Sequence, residues 1–178
     1  MDPIFLLGLI GSFILVTGAA WPEIKKTDHP AKSLKNWMFV IGGLFMLIYA
    51  FLNWYNNGGS AIFVFLQIFI AICTFVMIIN ADEKTSAFPI GISGLGFVVW
   101  SLYLGEGYKI ALFIIGLTII GLGYICKTGT LRRFVLLTLG GIFIAIFSYI
   151  SSSWIFFWLN VFFAIFSGYY VMKMLRQK

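Results

Sequence analysis

Seven stretches of about 20 mostly apolar residues, separated by short polar links, leave this chain few ways to fold. They run approximately over 3–21, 36–54, 61–80, 86–104, 109–126, 131–150 and 153–172, and a helix that spans a bilayer needs about 20 such residues. Hydrophobic residues make up 61% of the chain and charged residues 10%, where a soluble domain carries roughly 25% charged residues. The expected fold is therefore all-α and integral to the membrane, with seven transmembrane helices and little left for an extramembrane domain. The first stretch lacks a basic leader and is followed by Trp21-Pro22-Glu23 rather than a small-residue cleavage site, so it is expected to be retained.

The charges report topology. Lys25, Lys26, Lys32, Lys35, Lys84, Lys127, Arg132, Arg133, Lys173, Arg176 and Lys178 fall in alternate connections and the C-terminal tail, and only Lys109 falls on the other side, a split of 11 to 1. Positively charged loops stay in the cytoplasm, so the N-terminus is expected outside and the C-terminus inside. A net charge of +6 distributed in this way does not indicate nucleic acid.

Within the apolar runs two carboxamides stand out. Leu66–Thr74 reads LQIFIAICT and Leu159–Ser167 reads LNVFFAIFS, so that Gln67 faces Asn160. An amide in hydrocarbon costs free energy unless it meets a partner, which makes it a candidate for function. Two further segments recur in the same order. TGAAWPEIKKT (17–27) aligns with TIIGLGYICKT (118–128), and GGLFMLIYA (42–50) with GGIFIAIFS (140–148), at offsets of 101, 98 and 93 along the chain. An internal repeat of three helices is expected: 1–81 as the first bundle, 82–105 as a linking transmembrane helix and 106–178 as the second bundle. Because the linking helix restores the orientation, the bundles are parallel, an arrangement in which a transported solute sits between the halves.

In this pattern the chain resembles the SWEET branch of the PQ-loop superfamily, transporters built as 3+1+3 helices, and the resemblance covers nearly the whole sequence. The family's Pro-Gln motif reads Pro22-Glu23 in the first repeat and Gly123-Tyr124 in the second. The resemblance implies facilitative, alternating-access transport of a small neutral polar solute such as a sugar. Gln67 and Asn160 would stand where the family lines its pocket with asparagines. Homo-oligomers are common in that family, so self-association is implied too. Vitamin transporters of the PnuC type share the architecture, so the fold does not choose the solute.

Depth along the helices points to the same site. Gln67 and Asn160 each lie about seven residues into their spans, roughly 10 Å deep at 1.5 Å per residue. Tyr49 and Phe147 lie at comparable depth, and these two with Trp158 would offer flat surfaces to a ring. The alternative for the amides is that they simply tie helices together. Pro22 and Glu23 are candidates for a hinge or gate at the cytoplasmic mouth, or for an ordinary helix stop with a solvated or lysine-paired acid. Hydroxyls at Thr17, Thr118, Thr74 and Ser167 either line the path or bond their own helix.

Other classes have less in the sequence to carry them. Gly91-Ile92-Ser93-Gly94 matches a GxSG pattern of intramembrane serine proteases, but the sole histidine, His29, lies in a loop. No set of base, nucleophile and metal ligands suggests an enzyme, and no cofactor is expected. An ion channel would call for polar rings along a pore, and a light-driven protein for a lysine inside the last span. A non-transporting scaffold or anchor is the alternative from a different class; it predicts that Gln67 and Asn160 bond each other or backbone and leave no cavity.

Overall fold

The computed structural model describes residues 2–22, 29–80, 82–103 and 108–176. Among them are seven α-helices: α1 (Pro3–Ala20), α2 (Leu34–Asn57), α3 (Ala61–Ile78), α4 (Glu83–Tyr103), α5 (Tyr108–Ile125), α6 (Leu131–Ile150) and α7 (Trp154–Arg176). A short 3₁₀ turn, Pro30–Lys32, precedes α2, and no strand occurs among the described residues. Five helices, α1, α2, α3, α6 and α7, are long and apolar enough to cross a membrane, which is compatible with an integral membrane protein. At 18 to 24 residues these five reach about 27 to 36 Å, near the thickness of a bilayer core.

The helix ends are set by local chemistry. Asp2, Ser33, Ser60 and Thr130 accept the backbone N–H of Ile4, Asn36, Ile62 and Arg133, so each satisfies a donor that the first turn would leave orphaned. Gly58 closes α2 in the left-handed conformation at φ +66°, where a side chain would be strained. Pro22 follows α1 instead of lying within it: Trp21 caps the helix in an extended conformation, as a residue before proline prefers. Glu23, the other half of the expected hinge, lies outside the described residues, as does the stretch 104–107 around the expected boundary of the second bundle.

Packing neighbours run α1–α2–α3–α5–α6–α7 and return to α1, a closed ring of six, with α4 resting on α5. Glycines set two of the tightest crossings. A Cβ on Gly42 would come within 2.7 Å of the Leu15 side chain and 3.1 Å of the Gly11 carbonyl; one on Gly140 would come within 2.8 Å of the Gly116 carbonyl and the Ile120 nitrogen. Small residues of this kind let membrane helices approach closely. Phe39, Met46, Leu66, Cys73, Leu137 and Ile144 fill the centre, while Phe13, Phe65, Phe75 and Phe88 point outward.

Ser148 sits in this centre with its hydroxyl buried and lacking a hydrogen-bond partner. A buried hydroxyl left unsatisfied destabilises a fold, and its removal is close to neutral or favourable. Ser148→Ala is therefore expected to hold or raise the melting temperature, by up to about 1 kcal/mol of stability. A drop of several degrees in a thermal-shift assay of the purified protein would contradict this.

Candidate functional site

Gln67 and Asn160 line the same cavity. It is lined by Leu15, Leu66, Gln67, Ile70, Ile120, Tyr124, Leu159, Asn160 and Phe163, so α1, α3, α5 and α7 each contribute a wall. Its volume is about 20 Å³, room for roughly one water molecule. Gln67 is 2% exposed and Asn160 7%.

The two amides are satisfied differently. The Asn160 Nδ2 donates to the Phe156 carbonyl one turn back at 2.8 Å. Because the partner is a carbonyl, that atom is assigned as the nitrogen, which leaves the oxygen and the second N–H of Asn160 for a ligand. The Gln67 Oε1 is buried and has no hydrogen-bond partner. Buried polar atoms without a partner are few in native cores, and each calls for an explanation. Donors are present on the same lining residues: the Gln67 Nε2 carries two N–H groups and Tyr124 a hydroxyl.

One turn from the amides, about 6 Å along each helix, the chain places Phe63 and Phe156, four residues before Gln67 and Asn160 respectively. An i, i+4 spacing puts both members of each pair on one helix face. The two rings stack at 4.3 Å between centroids and 13° between planes. Tyr49 packs on Phe156 at 5.9 Å, and Phe147 packs on Phe63 at 5.8 Å and on Phe113 at 4.7 Å. Tyr49 and Phe147 thus belong to an aromatic layer that closes one end above the cavity, rather than to its walls. Trp158 is not brought to the site. It is 53% exposed on the outer face of α7, against Phe157 and Phe162. Two residues before Asn160, it stands about 200° around the helix from it, so one of the two had to face away.

Towards the other end, Phe39 meets Tyr124 edge-on at 5.4 Å and Phe163 at 5.8 Å. Beyond them lies a basic layer that sequence reasoning had treated only as a topological signal. Arg133 is 0% exposed; its Nη2 donates to Asn36 Oδ1 at 2.9 Å and its Nη1 to Thr128 Oγ1 at 3.0 Å, with Met77 Sδ at 3.3 Å from Nη2. Lys35, also buried, donates to the carbonyls of Ala19 and Trp21 at 3.3 and 3.4 Å, with its Nζ 4.6 Å from the centre of the Tyr170 ring and 5.0 Å from that of Phe134. The Tyr170 hydroxyl donates to the Ala20 carbonyl at 2.8 Å. The signal was present in the sequence: at the offset of 98 that aligns the two Gly-Gly pairs, Lys35 falls on Arg133. The equivalent signal for Phe63 and Phe156 is the offset of 93.

Thr17, Thr74 and Thr118 donate to the carbonyls of Phe13, Ile70 and Ile114 in their own helices at 2.8 to 2.9 Å, so these hydroxyls are taken up locally. His29 is exposed and caps the 3₁₀ turn through Nδ1, which accepts from Ala31 N. No cluster of three or more metal-ligating side chains occurs among the described residues. No family model matches the chain, and neither a curated protein nor a solved structure matches it.

Proposed function

We propose that the chain is a facilitative membrane transporter for a small neutral polar solute, bound between two parallel three-helix bundles at Gln67 and Asn160. The observation that carries this is the small cavity that both amides line, with the Gln67 oxygen left without a donor. The scaffold alternative expects both amides to bond each other or backbone and to leave no cavity; Asn160 does bond the Phe156 carbonyl, whereas Gln67 Oε1 has no partner.

Contact pairs support the two-bundle arrangement. Phe63 meets Phe147 as Tyr49 meets Phe156; Arg133 meets Met77 and Asn36 as Lys35 meets Tyr170 and Phe134. Gly11 lies against Phe45 and Met46 as Gly116 lies against Phe143 and Ile144. Every match obeys an offset of 98 between α2 and α6 and of 93 between α3 and α7. Between α1 and α5 the offset that packing supports is 105, four more than the 101 of the sequence alignment. The bounds of α1 and α5 differ by the same 105. In that register Pro22-Glu23 corresponds to Lys127-Thr128 rather than Gly123-Tyr124. Resemblance to SWEET-type transporters is in keeping with this arrangement and names a sugar as the first solute class to try.

With the aromatic layer at one end and the basic layer at the other, a cavity of about 20 Å³ holds no ring-sized solute. Loading requires the bundles to part at one end and then at the other. The charge split places the basic end in the cytoplasm. The test is uptake of a panel of radiolabelled neutral solutes into proteoliposomes by the parent and by Gln67→Ala with Asn160→Ala. Saturable uptake of one solute, lost in the double variant, is expected. No uptake of any solute, with a double variant that no longer folds, would make the amides structural and favour the scaffold.

A further inference from the structure

The two ends of the molecule are held shut by different chemistry. At the aromatic end the halves meet through rings: Phe63 on Phe156, Phe63 on Phe147 and Tyr49 on Phe156. At the basic end, beyond the Phe39 contacts with Tyr124 and Phe163, they meet through directional contacts to ionised or polar groups. Arg133 on α6 reaches Asn36 on α2 and Met77 on α3; Lys35 on α2 lies over Phe134 on α6 and Tyr170 on α7; and the Tyr170 hydroxyl donates to Ala20 at the end of α1. Stacked rings can slide and re-pack over a range of separations, whereas a guanidinium bond to an amide oxygen is lost once the partners part by an ångström or so. Thr128, from the loop before α6, holds the same guanidinium at 3.0 Å and so orients its fork towards Asn36.

We propose that Arg133 and Asn36, supported by Lys35 and Tyr170, form a latch that keeps the basic end closed, and that the bundles open at that end only when the latch releases. This rests on the two-bundle reading above. The Asn36 amide is built for the role: its Nδ2 donates to the Pro30 carbonyl at 3.0 Å, which turns its oxygen to the arginine. The latch acts on the equilibrium between closed and open forms. Its loss favours the form open at the basic end.

Two native thiols report on this without any solute. Cys126, buried, lies two residues before Thr128 at the basic end, and Cys73 is buried in the second half of α3, one turn before Met77. In nanodiscs, alkylation of each by a polar maleimide can be followed by peptide mass spectrometry for the parent, Asn36→Ala, Arg133→Gln and, as a control at the other end, Phe63→Ala. Cys126 is expected to react at least tenfold faster in Asn36→Ala and Arg133→Gln than in the parent, with a smaller rise at the deeper Cys73 and with Phe63→Ala leaving Cys126 slow. Unchanged Cys126 rates in Asn36→Ala would overturn the latch. So would an equal rise at Cys126 in Phe63→Ala, which is the signature of general loosening. Because no transport is measured, absence of uptake by the parent would count against the proposed function and leave this result standing.

Discussion

Gln67→Leu should leave the protein at least as stable as the parent and lower solute uptake by tenfold or more. The two effects part company because of one atom. The Gln67 Oε1 is buried with no hydrogen-bond partner, so the fold gains little from it. Replacing a buried unsatisfied polar group by an apolar one of similar shape is nearly neutral or stabilising. A bound solute, by contrast, loses a hydrogen bond at a desolvated site, and about 1 to 3 kcal/mol per such bond corresponds to roughly 5- to 150-fold in affinity. Thermal unfolding in detergent and initial-rate uptake in proteoliposomes, made on the same preparation, separate the possibilities. A melting temperature several degrees below the parent would mean that the amide holds helices together. A stable variant with undiminished uptake would remove Gln67 from the solute site.

Gly140→Ala should be among the most damaging single methyl additions in the chain, costing about 3 kcal/mol, while Gly43→Ala should cost nothing. The methyl at Gly140 would meet main chain, the Gly116 carbonyl and the Ile120 nitrogen, both at 2.8 Å. Backbone cannot turn aside as a flexible side chain does, so α5 and α6 would have to move apart along their crossing. Gly42→Ala should follow in milder form, since its main-chain neighbours, the Leu15 nitrogen and the Gly11 carbonyl, stand farther off at 3.0 and 3.1 Å. Gly43 meets nothing within 4 Å, and exchanging a helical glycine for alanine gains roughly 0.5 to 1 kcal/mol of backbone entropy. Thermal-shift measurements on Gly140→Ala, Gly42→Ala and Gly43→Ala would rank the three. Equal melting temperatures for Gly140→Ala and Gly43→Ala would sink the prediction.

Much of the architecture was legible in the residues. The apolar runs gave seven helices within a few residues of their ends, because a span needs about 20 apolar residues and the polar links between runs end each one. Gln67 and Asn160 were found because polarity in an apolar run costs free energy, and they do share a cavity. Trp158 was placed near them by proximity in the chain, although helical periodicity turns it away. Lys35 and Arg133 were counted as loop charges, since charge alone does not distinguish a solvated lysine from one buried against Tyr170 and Phe134.

The register of α1 against α5 separates what sequence fixes from what packing fixes. Alignment of 17–27 with 118–128 and the packing register differ by four residues, close to one helical turn. A shift of one turn rotates each side chain by only about 40°, so apolar and polar positions match almost equally well in either register. Sequence therefore determined which residues form helices, that the polar groups recur, and which faces are apolar. Whether Gly116 or another residue stands opposite Gly140, which rings stack above the amides, and that Arg133 reaches across to Asn36 were decided by contact. Those depend on distances of a few tenths of an ångström between helices, which no periodicity along a single helix encodes.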